Sequence, residues 1–192
     1  MELEKEVRYQ LAENVWSKVL ENTSPLIQKT HVLDITCGAF GSESLAKTGK
    51  VFRIRQKPTK IALEIKKRIG ECDWLEEAIE LKSVNQGLRF LHLAGLDPYL
   101  YIEREREVKE YKGLKIFFDD IQLLGKFIEI EYQDSKDARN ELDEFTKKFG
   151  ITGKPEPLYG EIINKKLNSD ADFNDKFTKR LKEIVEEAKK DF

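Results

Sequence analysis

Four short stretches carry two like charges spaced at i, i+2. Glu4/Glu6 and Glu129/Glu131 are acidic pairs, and Arg53/Arg55 and Arg104/Arg106 are basic ones. Strand side chains repeat direction every second residue, so each pair shares a face. Asp119 joins the acidic set; Lys66 and Arg8 join the basic one. One pair alone is explained by a solvated sheet face. Sorting of acids and bases onto separate strands is more than that explanation requires. Carboxylate oxygens with no His or Cys beside them suit a hard divalent cation, Mg²⁺ or Mn²⁺, better than zinc. Guanidinium groups grip phosphate oxygens two at a time. A cavity holding both sets would, when empty, concentrate like charges at considerable cost. The combination therefore calls for a polyphosphate bridged to metal.

The elements that must position these residues are strands. Phe127 to Tyr132 alternates strictly, with Ile128, Ile130 and Tyr132 opposite Glu129 and Glu131. Residues 2–11, His31 to Ile35, Val51 to Gln56, Ile61 to Lys66, Tyr99 to Val108 and Leu114 to Ile121 also read as strands. Lys57-Pro58-Thr59 makes a hairpin of the third and fourth. Residues 73–83 form another strand, although a short helix fits nearly as well. Helical spacing marks Ala12 to Leu20, the segment around Leu88 to Leu96, Ala138 to Phe149 stopped by Gly150, and Tyr159 to Lys166. Ser169 and Asp170 can cap a last amphipathic helix bearing Phe173, Phe177, Leu181, Ile184 and Ala188. Gly38 to Gly49 reads as loop. Many strands with short turns, interrupted by helices, predict an α+β fold: an antiparallel sheet closed or nearly closed, with helices packed outside. Helices on the apolar faces would leave the charged faces pointing inward.

The 192 residues fit a single domain, 1–192, with 34 basic and 36 acidic side chains. A net charge of -2 argues against a general nucleic-acid binder, so an anion site must come from local segregation. Cys37 and Cys72 are too few for a disulfide framework and read as reduced thiols. No signal peptide or bilayer-spanning run is visible, and the expectation is a soluble cytoplasmic protein without membrane contact, monomeric or homodimeric. His31 and His92 lie on no charged strand face, and Trp16 and Trp74 read as packing residues.

In order along the chain, these motifs resemble those of the CYTH proteins, or triphosphate tunnel metalloenzymes. Glu4-x-Glu6-x-Arg8 is similar to their opening ExExK, with Arg8 where Lys is usual. Phe52-Arg53-Ile54-Arg55 resembles the RxR strand, Glu64-Ile65-Lys66 the strand ending in a phosphate-binding Lys, and Arg104-x-Arg106 the KxR pair. Asp119 with Leu124-Gly125-Lys126-Phe127-Ile128-Glu129-Ile130-Glu131 is similar to D…LGxFxEIE. The likeness runs from residue 2 to about 165, beyond which lies the helix of 169–192. Trp74-x-Glu76-x-Ala78-x-Glu80 matches the family's RxExE strand only loosely, and Thr36-Cys37 replaces an aromatic pair near Asp34. The resemblance implies an eight-stranded antiparallel tunnel that hydrolyses a triphosphate-containing small molecule such as tripolyphosphate, thiamine triphosphate or a nucleoside triphosphate. Glu4, Glu6, Asp119, Glu129 and Glu131 would hold Mg²⁺ or Mn²⁺. Arg53, Arg55, Lys66, Arg104 and Arg106 would bind the phosphates, and Arg8, Glu6 and Glu131 would act in catalysis. The same cavity could instead make cyclic AMP and pyrophosphate as a class IV adenylyl cyclase, or bind polyphosphate without turnover. The C-terminal helix is expected to pack on the barrel rather than cover a tunnel mouth.

Overall fold

Eight strands make up the sheet: β1 (Glu4–Gln10), β2 (Gln28–Gly38), β3 (Lys50–Lys57), β4 (Lys60–Arg68), β5 (Trp74–Leu81), β6 (Asp97–Tyr111), β7 (Leu114–Ile121) and β8 (Gly125–Gln133). Their spatial order is β1-β8-β7-β6-β2-β3-β4-β5, with antiparallel registers. Five helices stand among the described residues: α1 (Glu13–Glu21), α2 (Val84–Leu93), α3 (Lys136–Phe149), α4 (Tyr159–Ser169) and α5 (Ala171–Ala188). The structure, a computed structural model, describes residues 4–38, 49–68, 74–133 and 135–190, without the side chains of Glu4, Arg68 and Trp74. Cys72 and most of the expected 38–49 loop lie outside that set.

The expected closure is met only in part. The eight-stranded antiparallel sheet is present, but β1 and β5 stand at opposite ends of its order and no ladder joins them among the described residues. Side-chain alternation fixes which face is buried; it carries no information on whether two backbone edges meet. The ambiguous stretch 73–83 is strand β5, because its backbone pairs with β4 from Ile61↔Leu81 to Arg68↔Trp74. β2 begins at Gln28, earlier than the expected His31.

The chain divides into two compact units, Met1–His31 with Arg104–Tyr159 and Val32–Glu103 with Gly160–Phe192. In the first, Ile116 and Phe118 of β7 and Ile128 and Ile130 of β8 turn their outer face to α1 and α3. Trp16, Val19, Leu142, Phe145 and Phe149 complete that core. Trp16 meets Phe118 edge-on at 5.2 Å, a packing role. Two tight turns set the register beneath. Lys112 and Gly113 both adopt positive φ, as a two-residue hairpin turn requires, and Leu123 and Gly125 do so between β7 and β8.

In the second unit α2 is capped by Ser83, whose hydroxyl accepts from the Gln86 N–H at 3.1 Å. It crosses closely over β3 and β5: a Cβ on Gly87 would lie 2.7 Å from Leu81 Cδ1 and 2.8 Å from Ile54 Cδ1. Asp170 caps α5 by accepting from the Phe173 N–H. Phe177 of α5 stacks on Tyr101 at 4.5 Å, and Arg180 donates to both carboxylate oxygens of Glu103 at 3.0 and 3.1 Å. The C-terminal helix therefore packs against β6. At the sheet edge β5 exposes Leu75 and Ile79 beside Glu76, Glu77 and Glu80. No described helix is long and apolar enough to cross a membrane.

Candidate active site

In the first unit the antiparallel ladders line up three rows of side chains on the face opposite the apolar core. Gln10, Phe127, Asp119 and Arg106 form one row; Arg8, Glu129, Phe117 and Val108 the next; Glu6, Glu131 and Lys115 the third. Four charged members of this face are withdrawn from water, Asp119 0% exposed, Arg104 4%, Arg8 6% and Glu129 7%, while Glu6 and Lys115 in the third row stay exposed. A solvated sheet face does not account for the first two rows.

Every buried charge meets its opposite. Arg106 grips Asp119 with two hydrogen bonds of 2.6 Å and reaches Glu129 at 3.2 Å. Arg8 donates to Glu129 at 3.1 Å and also to Glu6. Arg104 Nε lies 3.6 Å from Asp119. The Tyr159 hydroxyl donates to Asp119 Oδ2 at 3.0 Å, with its ring 5.1 Å from the Arg8 guanidinium and edge-on to Phe127. Lys115 Nζ pairs with Glu131 at 3.0 Å, and the Phe117 ring lies under both Arg106 and Lys115.

These contacts set protonation. Burial alone would raise the Glu129 carboxyl, but Arg106, Arg8 and Arg104 outweigh it and hold it below its ordinary range. Burial alone would lower the Arg106 guanidinium, but Asp119 and Glu129 raise it further above neutrality. Burial, then Asp119 and Glu129, push the Tyr159 phenol well above its ordinary value, so it stays a proton donor.

Oxygens of Glu6, Glu129 and Glu131 lie within 4.8 Å of one another. An all-carboxylate donor set fits a hard divalent cation and offers nothing a softer metal prefers. Its side chains grade outward, Glu129 9%, Glu131 25% and Glu6 44% exposed. Asp119 stands apart from this trio and serves Arg106 and Tyr159 instead. Glu4 occupies β1 opposite Gln133.

The second unit repeats the logic with other residues. Arg55 donates to both oxygens of Asp34 at 2.7 and 2.9 Å, and Asp34 is fully buried. Arg53 donates through Nε to Glu64 at 2.9 Å, and Lys66 pairs with Glu76 at 2.6 Å. Arg53, Arg55 and Lys66 thus share one face with three carboxylates. Cys37 lies buried in β2, where burial and then Asp97 push its thiol up to about 12, too high for a nucleophile at neutral pH. His31 and His92 are exposed and paired with Glu105 and Asp97.

Within each unit acids and bases also interleave, so the carboxylates and cations of one face pair with one another. Sequence reasoning missed the partners that do this. Asp34 was hidden because Val32 through Cys37 are all buried, leaving no alternation to read. Lys115 and Phe117 do alternate with Asp119, a signal that was available. Tyr159 begins a helix remote from every strand motif and leaves no periodic trace.

The CYTH domain family model matches residues 40–157. The chain belongs to the CYTH domain family. Both β1 and Tyr159 lie outside the matched residues. This CYTH chain is similar in structure to the PH1819 protein of Pyrococcus horikoshii, with TM-score 0.69 and 27% identity over 85% of this chain and 99% of that one. A Vibrio parahaemolyticus protein named for an adenylate cyclase aligns with TM-score 0.64 and 16% identity over 85% of this chain and 98% of that one. HpAC1 of Hippeastrum, named for an adenylyl cyclase and described as having a dominant triphosphatase activity, aligns with TM-score 0.61 and 18% identity over 85% and 94%. Among curated proteins none matches the chain in sequence.

Proposed function

We propose that this CYTH protein hydrolyses triphosphate compounds with the help of a divalent cation. The observation that carries the reading is the juxtaposition of the Glu6, Glu129 and Glu131 trio with Arg8, whose Nε is buried without a hydrogen-bond partner. A buried donor lacking an acceptor is costly, and a phosphate oxygen would supply one. An ion held by the trio would screen phosphate charge and make water a better nucleophile. Arg8 would then hold the attacked phosphoryl group, with Glu6 and Glu131 orienting the attacking water. Arg104 and Arg106 would bind the remaining phosphates and offset charge as diphosphate leaves, and in the second unit Arg53, Arg55 and Lys66 are further candidate phosphate ligands. Glu4 would add a further carboxylate, and Asp119 would aim Arg106.

HpAC1, with its dominant triphosphatase activity, favours hydrolysis over cyclisation, which would use the ribose 3′-hydroxyl of ATP in place of water. Incubation with tripolyphosphate, ATP and thiamine triphosphate in Mg²⁺ or Mn²⁺ separates the outcomes: orthophosphate means hydrolase, cyclic AMP with pyrophosphate means cyclase, and binding without turnover means neither. Glu131→Ala and Glu6→Ala should each lower metal-dependent turnover by about a hundredfold or more while circular dichroism stays unchanged. Full activity in either variant would sink the assignment.

A further inference from the structure

Five side chains of the first unit form a closed circuit. Arg8 and Arg106 both donate to Glu129; Arg106 also donates to Asp119; Asp119 accepts from Tyr159; and the Tyr159 ring lies against Arg8. Four of the five come from strands. Tyr159 comes from the first residue of α4, after a segment tied to β1 by a hydrogen bond from the Glu156 N–H to the Arg8 carbonyl at 2.8 Å. A core position asking only for bulk and an edge-on contact with Phe127 would be filled by Phe. The hydroxyl is the informative atom, because a buried phenol must find an acceptor and this one finds the fully buried Asp119.

We propose that Tyr159 is a positioning residue for the two guanidinium groups, acting on Arg106 through its hydroxyl and on Arg8 through its ring. The hydroxyl takes up part of the Asp119 charge. Without it Asp119 would draw more strongly on Arg106, leaving that guanidinium less free to meet an anion. The flat ring limits how far Arg8 can swing. The proposal rests on the reading of this face as a phosphate site, and it predicts a division of effects that bulk packing does not.

The test uses Tyr159→Phe and Tyr159→Leu. Calorimetric titration of tripolyphosphate into metal-free protein reads anion binding without turnover. Tyr159→Phe is expected to weaken binding about threefold to tenfold and raise KM to match, with kcat within about twofold of wild type. Tyr159→Leu should weaken binding at least as much and lower kcat about tenfold further, since Arg8 loses its ring. Thermal melts of both variants report the folded fraction. Unchanged affinity in Tyr159→Phe overturns the proposal. So do losses in both variants that simply follow the unfolded fraction, or a wild-type protein that does not bind tripolyphosphate. If the wild type binds but turns over no triphosphate, the hydrolase reading fails and the titration still decides the role of Tyr159.

Discussion

Glu129 receives hydrogen bonds from both Arg8 and Arg106 and is the most buried member of the carboxylate trio. Its folded carboxyl is held below the ordinary 4.5, so the stability it contributes is fully present above that value and is lost as pH falls through the folded one. Thermal melts between about pH 3 and pH 7 should therefore show a steep acid-side decline that is shallower in Glu129→Gln. At neutral pH the same variant should be less stable by about 3–5 kcal/mol, because it leaves buried guanidinium groups short of a counter-charge. An equally steep acid limb in the variant would place that linkage elsewhere. At this scale the i, i+2 pairs were readable because strand periodicity puts both members on one face. Their partners were not: Asp34 sits in a run buried on both faces, and Tyr159 reaches the site from a different kind of element.

At the scale of elements, the second unit depends on how closely α2 approaches β3 and β5. Gly87 is the point of contact, with Leu81 and Ile54 where a Cβ would stand. Gly87→Leu should destabilise by about 1–3 kcal/mol, seen as a lowered denaturant midpoint with little change in slope. Gly87→Ala should fall between that variant and wild type. A wild-type midpoint for Gly87→Leu would mean that α2 can lift without cost. Nearly every strand and helix was legible from period and caps, including the stop at Gly150, which adopts positive φ. β5 was ambiguous because Leu75, Ile79 and Leu81 suit either period over so short a stretch; only backbone pairing decides it.

For the whole molecule, the balance of charge inside each unit separates folding from metal binding. Carboxylates that are each matched by a guanidinium or ammonium group need no cation to hold them together. Chelation with EDTA should abolish turnover while leaving the melting temperature within about 2 °C, unlike a domain whose metal is part of its folding energy. A large drop in melting temperature would show that the ion is structural. Closure of the sheet was the feature least accessible to sequence, since it depends on two distant edges meeting and no residue pattern specifies that.

The open rim at β5 bears on how copies of the protein treat one another. An edge strand paired only with β4 among the described residues, with exposed Leu75 and Ile79, is a template on which a neighbouring polypeptide could add itself. Two glutamates stand in the way: were two such rims to meet antiparallel about Ala78, Glu76 of each would face Glu80 of the other. Mutual repulsion, not steric cover, would then keep these molecules apart in concentrated solution.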